Sequence, residues 1–82
     1  MKHASAKSLD GVEALLREIR ASAALKEKTR GIFYLGSKAF LHFHEDPTGM
    51  YADLKIGAAF RRFRVETKAE HKVLLKALRR QL

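Results

Sequence analysis

The sequence predicts an α+β domain: an N-terminal helix, an antiparallel β-meander of three to four strands and a C-terminal helix, with both helices on one face of the sheet. Three observations predict it. Between Thr29 and Ile56, runs of strand formers are separated by two glycine-containing turn signals. Within that block Met50, Ala52, Leu54 and Ile56 alternate with Tyr51, Asp53 and Lys55, the period of a strand with one buried face. On either side apolar residues recur at helical spacing, so each flank carries a stripe that needs a sheet face to cover it.

Taken in order, residues 1–8 show no periodicity and are expected as a disordered tail, leaving 9–82 as a single domain. Helix 1 is expected over about residues 9–24, because Val12, Leu15, Leu16, Ile19 and Ala23 share one face. Asp10 with Glu13 reads as its capping box, and Ser8 is the competing start. LKEKT, residues 25–29, reads as a charged connection. Ile32 to Leu35 then form a strand, Gly36-Ser37 a tight turn, and Ala39 to His44 the returning strand. Asp46-Pro47-Thr48-Gly49 is the second turn: Asp accepts from the backbone, Pro presets φ, and Gly tolerates a positive φ. Residues 60–65, FRRFRV, are read as an edge strand in preference to a helical turn that would bring Phe60 beside Phe63. Thr67 and Glu70 form a capping box for a helix over about residues 68–81. Its apolar stripe is Ala69, Val73, Leu74, Ala77 and Leu78, and its last turns hold Lys76, Arg79 and Arg80, where the helix dipole favours cations.

The register between the second and third strands decides where the polar residues point. A tight Pro-Thr-Gly hairpin would pair Asp46 with Met50 and His44 with Ala52, turning the histidines into the apolar face. Shifting by one pairs Phe43 with Ala52 and Leu41 with Leu54, and brings His42 opposite Asp53 and His44 opposite Tyr51 on the other face. A one-residue slip exchanges the two faces entirely, so burial should outrank ideal turn chemistry, and the shifted register is expected. The second face then carries His42, His44, Tyr51 and Asp53 beside Phe40 and either Phe33 or Ile32/Tyr34.

Composition bounds the function. Eighty-two residues bury roughly 60–65% of the unfolded surface, enough for one modest core and too little for a large active-site cavity. There is no cysteine, which rules out a disulfide framework and a thiolate metal site. No segment has the apolar run of a signal peptide or of a membrane span, so the chain is expected to be soluble, cytoplasmic and without a membrane partner. The formal net charge of +8 is unevenly placed: residues 1–54 hold eight Lys/Arg and seven Asp/Glu, residues 55–82 nine and two. Such an asymmetry favours an anionic partner, although solvated basic faces are common.

Three sets of residues carry chemistry. His42-x-His44 places two imidazoles on one side of a strand, and with Asp53 opposite they make a two-His, one-carboxylate constellation for a divalent metal, the only cofactor the sequence suggests. The alternative is a polar edge hydrogen-bonded to Tyr51 and Asp53. Arg61, Arg62, Arg64, Lys68, Lys72, Lys76, Arg79 and Arg80, with Phe60 and Phe63 among them, form a candidate nucleic-acid surface. Against it, the lysines of a helix buried on one face must point outward in any case. Phe40, His42, His44 and Tyr51 form a candidate homodimer interface, because two short helices cover only one sheet face.

No catalytic residues are expected. GIFYLGSK, residues 31–38, lacks the Lys-Ser order and the following helix of a phosphate-binding loop. None of the serines sits in a nucleophile-elbow context, and Glu45 with Asp53 would need a cleft that one small domain does not form. HFHEDPTGMYADLKI, with the preceding GIFY and following FRRFRV, resembles a group of small bacterial proteins with the same helix, meander and helix layout. The resemblance spans about residues 9–82. It implies one compact domain and brings no activity, cofactor, small-molecule substrate or catalytic residue with it. The functional expectation is a non-enzymatic binding or assembly module that homodimerises through its open sheet face, with nucleic-acid and metal binding as alternatives.

Overall fold

The computed structural model describes residues 2–82, with only the backbone for Lys2. The elements are β1 (Lys2–His3), α1 (Ala6–Asp10), α2 (Glu13–Arg20), β2 (Leu25–Thr29), β3 (Ile32–Leu35), β4 (Lys38–Asp46), β5 (Gly49–Ile56), β6 (Ala59–Arg64) and α3 (Lys68–Arg80). Two-residue turns at Arg30-Gly31, Gly36-Ser37, Pro47-Thr48 and Gly57-Ala58 fold the middle of the chain into an antiparallel meander of order β2-β3-β4-β5-β6. β1 lies beside β4 where β3 has ended, pairing His3 with His44. The α+β class is as the sequence predicts, with more strands.

The register of β4 on β5 is the burial-driven one: Leu41 pairs with Leu54, His42 with Asp53, Phe43 with Ala52 and His44 with Tyr51. The turn accommodates it because Asp46 accepts hydrogen bonds from the Thr48 amide at 3.1 Å and the Thr48 hydroxyl at 2.7 Å. Gly49 then re-enters the ladder at φ +136°, beside the Glu66 side chain, where a Cβ would lie 3.0 Å from that chain. Leu41, Phe43, Ala52 and Leu54 are buried against Leu15, Leu16 and Ile19 of α2 and Leu74, Leu75 and Leu78 of α3 in one cluster. Both helices therefore cover the same sheet face, with α2 nearest β2 and α3 nearest β6.

Besides the α3 stripe, in which Leu75 is buried while Ala69 and Val73 are exposed, four expectations need correction. The first eight residues contain a strand and the start of a helix; residue 1 of the expected tail lies outside the described residues. The N-terminal helix is two helices broken at Gly11, and α1 is capped by Ser5, whose hydroxyl accepts from the Ser8 amide; neither Asp10 nor Ser8 is the cap. Asp10 and Glu13 instead both take hydrogen bonds from Arg30, tying the helices to the β2–β3 turn. LKEKT is β2, an edge strand in which inward Glu27 is neutralised by Arg20 and accepts from the Gly31 amide. Such a charged edge resists pairing with a further strand.

Phe40 is the fourth. Between Phe33 and Tyr34 the β3–β4 ladder shifts by one residue, since Phe33 pairs with Leu41 and Tyr34 with Ala39. Phe40 is the extra residue of this bulge, which lets it break the alternation, and it joins the core at 4% exposure. It does not lie on the open face, so the expected homodimer interface loses its apolar anchor. The expected outcome for Phe40→Ala is a loss of about 3–5 kcal/mol in denaturant unfolding of the isolated chain. A variant as stable as the parent would place Phe40 at a surface.

Candidate metal centre on the open sheet face

Side chains that point away from the helices alternate with the core residues along each strand, so their neighbours follow from the register. His42 stands across from Asp53, and Asp53 across from Arg62; in the next row His3, His44, Tyr51 and Arg64 lie side by side. Rise along the strand places His42 and His44 about 6.6 Å apart at their backbones. Their rings lean together: His42 Nδ1 and His44 Nε2 are 2.6 Å apart, in a hydrogen bond where one ring donates and the other accepts. His44 Nε2 also lies 3.3 Å from Asp53 Oδ2. The three donor atoms are all within 4.8 Å of one another, the one such group of this size among the described residues.

The surroundings set the protonation of this group. Asp53 is the one buried charged residue among the described residues, at 7% exposure, and Arg62 grips it with Nε on Oδ1 at 2.8 Å and a terminal nitrogen on Oδ2 at 2.9 Å. Those hydrogen bonds hold the Asp53 carboxyl below the usual carboxylate range against the opposing effect of burial. Burial, and after it the adjacent His44, holds the His42 imidazole below its ordinary value, so at neutral pH it is an uncharged ligand-type ring. Phe60 packs on it from β6, with ring centroids 4.7 Å apart. His3 completes a trio of imidazoles, its ring 5.2 Å from that of His44 and 6.3 Å from that of His42.

A metal at the centre of this group would take Nδ1 of His42, Nε2 of His44 and Oδ2 of Asp53. Ligand distances of about 2.0–2.2 Å to a tetrahedral ion require donor atoms to stand roughly 3.3 Å apart. The Asp53–His44 separation already does so, and the two imidazole nitrogens would have to open by well under an ångström as the shared proton leaves. Arg62 can keep its Oδ1 contact, orienting the carboxylate from behind as the outer partners of metal ligands do. His3 is the nearest imidazole for a further coordination position.

The nucleic-acid set expected from the sequence does not form one surface. Arg62 and Arg64 project from the open face, Arg62 bound to Asp53 and Arg64 to Glu70 at 3.0 Å. Arg61 points to the other side of β6, its guanidinium 5.4 Å from the Phe63 ring. Lys68, Lys72, Lys76, Arg79 and Arg80 are exposed on α3, behind the sheet. Of the expected interface residues, His42, His44 and Tyr51 do share the open face, without Phe40. Of the two alternatives beside them, Ile32 and Tyr34 lie on that face and Phe33 is in the core, while His3, Lys26, Lys28 and Phe60 are members the sequence did not point to. A period-two alternation in LKEKT was the available signal for the two lysines; His3 had none. Comparison of the chain with protein-family models, curated proteins and solved structures finds no match in any of the three.

Both depressed pKa values make the domain less stable in acid. Below pH about 6.5 the unfolded chain protonates His42 while the folded one still resists, so stability falls as the pH drops through that window. Asp53 contributes stability that is present above its unfolded value of about 3.8 and lost as the pH falls through its folded one. Denaturant midpoints at about pH 7.5 and about pH 5.5 check the first limb. The midpoint should be lower at the acid pH, and His42→Phe should shrink the difference; an unchanged difference would contradict the account of His42.

Proposed function

We propose that this protein is a small binding domain whose chemical centre is a divalent-metal site built from His42, His44 and Asp53. The observation that supports the reading is the convergence of three ligand-type atoms from neighbouring strands onto one point of the open sheet face. Two imidazoles and one carboxylate suit a borderline transition ion such as zinc, iron(II) or nickel better than calcium or magnesium, which prefer oxygen alone. The remaining positions, open toward solvent and His3, would be filled by water, by His3 or by a group of the molecule bound.

Homodimerisation through this face has less support. Its apolar anchor is in the core, and a two-fold pairing would bring the face's lysines and arginines against their own copies, which costs free energy unless anions intervene. The position of β1 adds a reason to favour metal: the strand brings His3 to the histidine pair and nowhere near the helical side. Ligation would therefore also fasten the N-terminal strand to β4.

Titration calorimetry with zinc ion is the test. One equivalent per chain should bind, more weakly as the pH falls through the histidine range because protons compete for the ligands. His42→Ala or His44→Ala should abolish binding. Bound metal should also raise the melting temperature, since an ion held only by the folded state stabilises it. Zinc uptake unaffected by either histidine substitution, or no uptake by a chain that remains folded, would overturn the proposal.

A further inference from the structure

The lysines and aromatic rings that surround the metal centre lie on the same sheet face and supply none of its ligand atoms, although Phe60 packs on the His42 ring. Lys26 pairs with Tyr34, and Lys28 reaches over the Tyr34 ring with Nζ 4.5 Å from its centroid. On the far side Lys55 pairs with Phe60, its Nζ 6.0 Å from that ring, and Phe60 is 44% exposed. The strands that carry the Tyr34 and Phe60 rings, β3 and β6, are three strand spacings apart, about 14 Å. Arg64 stands at the edge beside Tyr51. On this face among the described residues, Asp53 is neutralised by Arg62, and Asp46, which keeps its charge, stands at the β4–β5 turn, at the opposite end of the strands from Ala39 and Lys55.

We infer that this face binds single-stranded nucleic acid, with Tyr34 and Phe60 as stacking platforms and Lys26, Lys28 and Lys55 as phosphate contacts. The sign of the charge selects an anionic partner, and the rings select among anions. A base offers a π face to Tyr34 or Phe60, and its phosphates reach lysines already poised at the ring edges. A duplex would hide its bases from those rings. Among the described residues both longer helices pack on the opposite sheet face, so this one offers no helix to enter a groove, which argues further for unpaired strands. An anionic membrane surface would engage the lysines but gives the two ring platforms, half-buried in a strand ladder, little depth to insert. This inference stands on residues outside the metal-ligand set, so it can fail while the metal site holds, and the reverse.

Fluorescence anisotropy of a labelled oligothymidylate and an oligouridylate, with EDTA present to remove any metal contribution, tests it. Affinity should fall with salt by roughly 0.7 log units per log unit of salt for each phosphate contacted. Phe60→Leu, which keeps an apolar side chain but removes the ring, should weaken binding roughly five- to hundred-fold, and Tyr34→Leu likewise. Lys26→Glu with Lys28→Glu should lower both affinity and salt slope, whereas Lys72→Glu with Lys76→Glu behind the sheet should leave both unchanged; circular dichroism confirms that each variant is folded. The inference is overturned by any of three results: no binding at low salt; binding lost through the α3 reversals and not the sheet ones; or equal affinity for duplex. It is overturned equally if vesicles of phosphatidylglycerol bind through the same residues while the oligonucleotides do not.

Discussion

The pairing of β4 with β5 is the constraint on which the rest of the structure depends. With Phe43 opposite Ala52 and Leu41 opposite Leu54, both strands deliver their apolar residues to the helices. A slip by one would send His42 and His44 into a core made of leucine and phenylalanine, where two imidazoles would lose water without gaining enough partners. The same pairing that buries Phe43 therefore assembles His42, His44 and Asp53 on the other side. The site is a consequence of core packing.

Arg62 resolves an apparent conflict within the site. A carboxylate buried beside two imidazole rings needs a counter-charge, and in the ligand-free state the guanidinium supplies it with two short hydrogen bonds. A dication would compete for one carboxylate oxygen only, because Oδ2 faces His44 while Oδ1 is held by Nε. The arrangement thus has two satisfied states, one with a shared imidazole proton and one with a metal in its place. The lysines further out belong to a different part of the face and act over longer range, where ionic strength attenuates them.

Much of the fold was legible in the sequence because it was written in periodicity. The alternation from Met50 to Ile56 and the capping box at Thr67 and Glu70 survive unchanged in β5 and α3. Once the register was argued from burial, the approach of His42, His44 and Asp53 was legible too. The bulge at Phe40 was not, because an inserted residue reverses the alternation without leaving any local signal in composition. β2 was hidden for a related reason: its inward acidic residue, Glu27, is neutralised by Arg20 on a helix, a partner visible only in three dimensions. His3 joins the site through a two-residue strand, too short for any pattern.

Proton-detected nitrogen spectra of the histidine side chains, recorded on uniformly labelled protein with and without one equivalent of zinc ion, test the central claim most directly. The register and ring orientations predict which nitrogens respond: Nδ1 of His42 and Nε2 of His44 should take the shifts of metal-bound imidazole, with His71, which contacts the Val65 carbonyl behind the sheet, unchanged. Response at the opposite nitrogens of those rings, at His71, or at none of them would contradict the account.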